Sequence, residues 1–128
     1  MIKLTFCLVR RPEFSRAEFQ DYWRNHHAPK VLAAKEALNI KRYVQCHTIA
    51  SAAAQAAAAA RGISLDENLG DFDGVAELWW DSEETLAASA GTEAGMKHGV
   101  ILLKDEATFI DLPRSRIFLT QENEVIFG

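Results

Sequence analysis

No apolar run in this 128-residue chain approaches the length of a bilayer span, so the sequence predicts no transmembrane helix and no membrane partner. The apolar stretch at the start, Met1-Ile2-Lys3-Leu4-Thr5-Phe6-Cys7-Leu8-Val9, is too short for a signal-peptide core and lacks a cleavage-type tail. A cytoplasmic protein is therefore expected. Basic charge is also scarce: 14 Lys and Arg against 18 Asp and Glu give a net charge of −4, and the cations are scattered. With no basic stripe to neutralise a phosphate backbone, nucleic acid is not expected as a partner. The two cysteines, Cys7 and Cys46, fall inside predicted strands, where a free thiol packs as a small buried hydrophobe, and no disulfide is expected.

Other absences bear on chemistry. The chain has no Cys-x-x-Cys pair, no glycine-rich phosphate loop and no Gly-x-Ser-x-Gly elbow. His26 and His27 are adjacent on a predicted helix, about 100° apart, and neither has a histidine or carboxylate three or four residues downstream to complete a chelating face. The sequence thus gives no warrant for a metal, nicotinamide, flavin or nucleotide cofactor.

What is present suits one domain over residues 1–128, with the 48% hydrophobic content of an ordinary soluble globule. The most informative stretch is Asp21-Tyr22-Trp23-Arg24-Asn25-His26-His27-Ala28-Pro29. Ser15 and Glu18 form a capping-box start, and Phe19, Tyr22, Trp23 and His26 follow at i, i+3, i+4 and i+7, so these rings share the face that meets the core. His27 lies one step around, above Trp23 and below Val31. Pro29 is expected to end or kink the helix near His27 and to open a second helical run through Val31, Leu32 and Leu38.

The coarse reading places strands over residues 3–10, 41–49, 74–80 and 115–121, with a short edge strand over Val125 to Phe127. The alanine tract at 51–60 reads as a surface helix or an ordered loop excursion, and Gly62 to Gly70 as loop. Asp81 with Glu84 marks the start of a helix through Leu86 and Ala90, and a further helical run follows around Met96 to Phe109. The order strand-helix-strand-strand-helix-strand is the βαββαβ plan of a ferredoxin-like α+β sandwich with an antiparallel sheet. Its inner strands are apolar on both parities, so the face away from the helices needs a cover, and a second copy of the chain is the economical one. Parity sorts Leu4, Phe6, Leu8, Val44, Cys46, Ala76, Leu78, Ile117 and Leu119 to the helix side. Thr5, Cys7, Val9, Tyr43, Gln45, His47, Val75, Glu77, Trp79, Arg116, Phe118 and Thr120 go to the other, whose mixed character describes a small-molecule cavity.

These residues resemble the EthD-type domains of the dimeric α/β-barrel superfamily over nearly the whole chain. The resemblance rests on Phe6-Cys7-Leu8-Val9-Arg10-Arg11, on Phe19 to Pro29, on Asp73-Gly74-Val75-Ala76-Glu77-Leu78-Trp79-Trp80-Asp81, and on Asp105-Glu106-Ala107-Thr108-Phe109-Ile110-Asp111 followed by Ser115-Arg116. The alanine tract departs from the family where the family usually varies. The resemblance implies a ferredoxin-like fold pairing as a dimeric α/β barrel. It also implies chemistry without metal or organic cofactor, since related barrels act as lactone isomerases, polyketide cyclases, decarboxylases, dehydratases and quinone-forming oxygenases. The histidine implicated in proton transfer in isomerase-like relatives corresponds to His27.

Each candidate has a second, structural role in view. His27 is either a general base titrating near neutrality or a cap on the helix end. His26 reads as a packed or surface histidine, and Tyr22 and Trp23 as either core anchors or substrate contacts. Glu77, midway along an apolar strand, needs a partner, and Arg116 of the same parity is the expected one. His47 either points into the cavity or lies at a strand end in water. Arg10-Arg11 reads as a solvated strand end and His98 as a solvent-facing helix residue. The candidate site is thus His27 as catalytic residue, with Tyr22, Trp23, His26, Tyr43, His47, Glu77, Trp79, Arg116 and Phe118 as pocket. Two functions fit: a cofactor-independent enzyme that moves a proton next to the carbonyl of a hydrophobic carbonyl, lactone or aromatic metabolite, or a non-catalytic homodimer that binds such a ligand or serves a monooxygenase pathway as an accessory.

Overall fold

The structure, a computed structural model, describes residues 1–64, 72–126 and 128. Its elements run β1 (Ile2–Leu8), α1 (Arg16–Tyr22), a π-helical turn (Trp23–His27), α2 (Ala28–Leu38), β2 (Arg42–His47), α3 (Ala52–Ala59), β3 (Gly74–Trp80), α4 (Glu83–Ala90), α5 (Glu93–Phe109), a 3-10 turn (Leu112–Arg114) and β4 (Arg116–Gln121). The strands form one antiparallel sheet in the order β2-β3-β1-β4, the ferredoxin-like arrangement, as the βαββαβ reading requires.

Helix α1 starts where the capping box predicts: Ser15 Oγ accepts the Glu18 N–H at 3.1 Å, and the Glu18 carboxylate accepts the Ser15 N–H at 2.9 Å. The helix does not stop at Pro29. It widens instead, with the Ala28 N–H reaching back five residues to the Trp23 carbonyl, and continues into α2 with Pro29 in the first turn. Pro29 has no N–H to return to the carbonyl of Asn25, and the wider turn absorbs that missing bond while keeping the chain helical. The path ends at Asn39, in the left-handed conformation at φ 53°. Ser82, not Asp81, caps α4, its oxygen accepting the Thr85 N–H at 3.1 Å. Only Ala58 of α3 is buried, so the alanine tract is a surface helix that contributes little apolar area. Val125 and Ile126 carry no strand; Phe127 and most of the predicted 62–70 loop lie outside the described residues.

The core lies between the helices and one face of the sheet. Leu8, Phe19, Trp23, Ala76, Phe109 and Ile110 form one buried cluster and Val31, Ile40 and Trp80 another, with Tyr43 and Leu78 packed against both. Register fixes which side chains face it. Leu4 pairs with both Leu78 and Leu119, Phe6 with Ala76 and Ile117, and Tyr43 with Leu78. Tyr43, Gln45 and His47 therefore face the helices, while Val44 and Cys46 lie on the open face: the parity predicted for β2 is inverted. Both faces of the inner strands are apolar, so hydrophobicity alone does not distinguish the two registers. Cys46 is exposed and Cys7 half-buried on that open face, each opposite Val75 on neighbouring strands; neither is the buried thiol expected.

Asp73 clamps this scaffold. It is 1% exposed and accepts the Arg10 N–H at 2.8 Å, Arg10 Nη1 at 2.6 Å and Arg16 Nε at 2.9 Å, which ties the end of β1 and the start of α1 to the start of β3. Arg10 is thus no solvated strand end. The next residue must be glycine: a Cβ on Gly74 would sit 2.4 Å from Cζ3 of Trp23 and 2.9 Å from the Cys46 carbonyl oxygen.

Candidate functional site

The widened turn decides which histidine faces inward. Each residue of a π turn rotates the chain by less than an α-helical step, so position 26 swings out of the Phe19–Tyr22–Trp23 stripe while position 27 stays beneath Trp23. His26 is exposed, its ring stacked on Tyr22 at 5.0 Å, whereas His27 is 5% exposed against Phe109 at 5.2 Å.

His27 Nδ1 lies 2.7 Å from Asp105 Oδ2 on α5, and the Tyr22 hydroxyl donates to Asp105 Oδ1 at 2.5 Å. Lys30 Nζ is 3.9 Å from the same carboxylate. Burial disfavours the imidazolium more than Asp105 favours it, so His27 titrates below its ordinary value. Burial pushes Asp105 upward, but the hydrogen bonds from Tyr22 and His27 and the charge of Lys30 outweigh it and hold the carboxyl below its usual range. The two directions agree on one state, an ionised Asp105 accepting from the Nδ1–H of a neutral imidazole. That tautomer leaves the lone pair on Nε2, which has no hydrogen bond among the described residues.

His27 lines a small chamber between α2, α5 and the sheet, with Trp23, Val31, Tyr43, Leu78 and Glu106 among its other walls. Its volume is about 60 Å³. Pockets that hold drug-sized ligands run to roughly 300–1,000 Å³, so this one takes a small molecule or the reacting end of a larger one. A second hollow of about 240 Å³, lined by Leu32, Lys35, Ile40, Lys41 and Arg42, meets it at Val31 and Tyr43. Burial and the neighbouring Asp105 charge push the Glu106 carboxyl up to about 7. Burial also raises the Tyr43 hydroxyl, which accepts from Gln45 Nε2 at 2.9 Å.

The predicted residues separate into three places. His27, Trp23 and Tyr43 share the chamber wall, and Tyr22 supports it through Asp105. His47 sits beside them at the end of β2, 4.5 Å from the Trp23 ring, bonded to Gln45 and Arg24, and does not line the chamber. Glu77, Trp79, Arg116 and Phe118 lie on the opposite face of the sheet, so the expected cavity shared by His27, Glu77 and Trp79 does not exist. There Glu77 takes Lys3 at 2.6 Å rather than Arg116, whose guanidinium reaches the Ser115 carbonyl at 2.8 Å. Trp79 is covered by Lys3, Arg42 and Glu122, and Phe118 is 49% exposed.

The sequence places Asp105 and Glu106 in the segment that carries the family resemblance but does not single them out as site residues. Their signal was present: Leu102, Asp105, Glu106 and Phe109 fall at helical spacing on one face of α5, so two carboxylates interrupt an apolar stripe. No group of three or more His, Cys, Asp or Glu suited to a metal ion occurs among the described residues.

No curated protein matches this sequence. Among solved structures, an ethyl tert-butyl ether D (EthD) family protein from Bacillus halodurans C-125 superposes at a TM-score of 0.59 and 20% identity, over 96% of this chain and 100% of that one. SnoaB, a cofactor-independent oxygenase from Streptomyces nogalater, aligns at 0.56 and 10%, over 98% and 95% of the two chains. A dimeric protein of ferredoxin-like fold from Bacteroides fragilis NCTC 9343 aligns at 0.57 and 8%, over 94% and 95%. At these identities the likeness is one of fold. The sequence itself supplies the closer tie: the family model of the EthD domain matches residues 11–113, and the chain belongs to that family.

Proposed function

We propose that this chain is a homodimeric, cytoplasmic enzyme of small-molecule metabolism that moves a proton without metal or organic cofactor. In this reading its single domain binds a hydrophobic carbonyl compound or lactone, and His27 Nε2 is the base at the carbon next to the carbonyl. The observation that carries it is the buried pair of His27 with Asp105 at 2.7 Å. A carboxylate that holds Nδ1–H fixes the ring and its tautomer and stabilises the imidazolium formed on proton capture. An imidazole capping a helix end would instead spend its ring nitrogen on a backbone carbonyl. The naming of SnoaB as a cofactor-independent oxygenase supports small-molecule chemistry on this fold. The two unpaired cysteines support a reducing compartment. The exposed Phe118 side chain of β4, on the face opposite the helices, supports pairing through the open face.

The test is solvent exchange. In deuterated water the protein should catalyse exchange of the α-hydrogens of cyclopent-3-en-1-one, followed by NMR. His27→Asn, which keeps a donor toward Asp105, should lower that rate by roughly 10²–10⁴-fold, and His26→Ala should change it less than about threefold. Equal rates in the parent and His27→Asn would remove His27 from the chemistry.

A further inference from the structure

The chamber holds a carboxyl that the His27–Asp105 pair does not use. Glu106 enters from α5, one residue after Asp105, and lines the same wall as His27 and Tyr43. Among the described residues no hydrogen bond or ion pair reaches its carboxyl. A carboxyl in that setting favours the neutral acid, which presents an O–H below about pH 7. The groups around it keep it so: Asp105 on its own helix is ionised, His27 from the π turn is neutral, Tyr43 from β2 is a neutral phenol, and Lys30 of α2 sits against Asp105. The facing positions of β1 and β3, Phe6, Leu8, Ala76 and Leu78, carry no charge.

We propose that Glu106 is a second catalytic residue: its O–H bonds the carbonyl oxygen of an uncharged ligand and protonates it while His27 Nε2 removes the α-hydrogen. This rests on the proton-transfer reading above and names the substrate class, a neutral enolisable ketone or lactone rather than a carboxylate, which Asp105 would repel. In the forward step the α-C–H bond breaks and its pair forms the new C=C. The carbonyl π pair moves to oxygen and takes the Glu106 proton, leaving an enol, an imidazolium and a carboxylate. With a β,γ-unsaturated ligand, the imidazolium then protonates the γ-carbon and the enol returns its proton to Glu106. Both groups are restored, the product is the conjugated isomer, and no oxidant or reductant is consumed.

The experiment follows conversion of cyclopent-3-en-1-one to its conjugated isomer by ultraviolet absorbance across pH, using the full chain. The parent rate should rise as His27 loses its proton, at a pH below the ordinary histidine value of about 6.5, and fall as Glu106 ionises near 7. Glu106→Gln should lower kcat/KM by about 10²-fold or more and abolish the descending limb, and Glu106→Asp should restore part of both. Carbon-13 observation of the Glu106 carboxyl gives a reading free of substrate, with a midpoint near 7 expected. A midpoint in the ordinary carboxylate range, or a Glu106→Gln enzyme with the parent's rate and profile, would overturn this inference while leaving His27 in place. If the parent neither exchanges nor isomerises the probe, the reading under Proposed function falls and this one with it.

Discussion

At the scale of single residues, burial sets opposite proton preferences on neighbouring groups, and folding stability carries the same signs. His27 is depressed, so the unfolded chain binds its proton first as pH falls. Its contribution is present above about 6.5 and is lost as pH falls through the folded value. Glu106 is raised to about 7, so the folded state binds its proton first and its contribution is lost as pH rises toward that value. Glu106→Gln should therefore stabilise the protein at pH 8, by on the order of 1–3 kcal/mol, and change little at pH 4.5. Urea unfolding at the two pH values measures this, and an equal effect at both would show that Glu106 ionises freely in the folded state. His27→Ala is a poor probe of the chemistry. It leaves an ionised Asp105 short of one donor, a loss of about 1.5–3 kcal/mol rather than the ordinary hydrogen bond's 1 kcal/mol. The asparagine variant avoids that confusion.

At the scale of elements, the chamber depends on a clamp some distance from it along the chain. Trp23 forms its wall only because Gly74 leaves room and because Asp73 fastens α1 to β1 and β3 through Arg10 and Arg16. Asp73→Ala leaves two largely buried guanidiniums without their shared carboxylate, and should lower unfolding free energy by about 3–5 kcal/mol. A thermal or urea transition unchanged from the parent would mean the clamp is ornamental. Much of this layer was legible in the chain. The capping box at Ser15 and Glu18, the bounds of β3 and the aromatic stripe of α1 follow from local spacing and appear where expected. Two things were not legible, for one physical reason each. The π turn arises from how a proline is accommodated under tertiary packing, and it exchanged His26 for His27 on the inward face. The register of β2 is set by its pairing with β3, and with both sheet faces apolar the hydrophobic pattern could not select it. The divided fate of the predicted pocket, with Tyr43 inside and Glu77, Trp79, Arg116 and Phe118 outside, follows from register alone.

At the scale of the whole molecule, the sheet separates two tasks. The helix face encloses the chamber, and the open face carries Val44, Val75, Trp79 and Phe118 with no helix over it among the described residues. Each face has its own requirement. The chamber is walled by residues of one chain, whereas the open face leaves Phe118 exposed and Val44 and Val75 half-buried, apolar side chains that a second surface would remove from water. Under the homodimer reading, substitutions on the open face should then break assembly without altering the His27 environment. Val75→Asp combined with Phe118→Asp places four buried charges at a two-fold interface, two from each copy, and should weaken association by at least about 10²-fold. Sedimentation velocity at micromolar concentration should show a dimer for the parent and a monomer for the double variant. The imidazole proton resonances of His27 should titrate with the parent midpoint in both. A parent that sediments as a folded monomer would remove the dimer. A variant whose His27 midpoint moves toward the ordinary value would show that the partner copy helps to bury the chamber, and the two faces of the sheet would then serve one site.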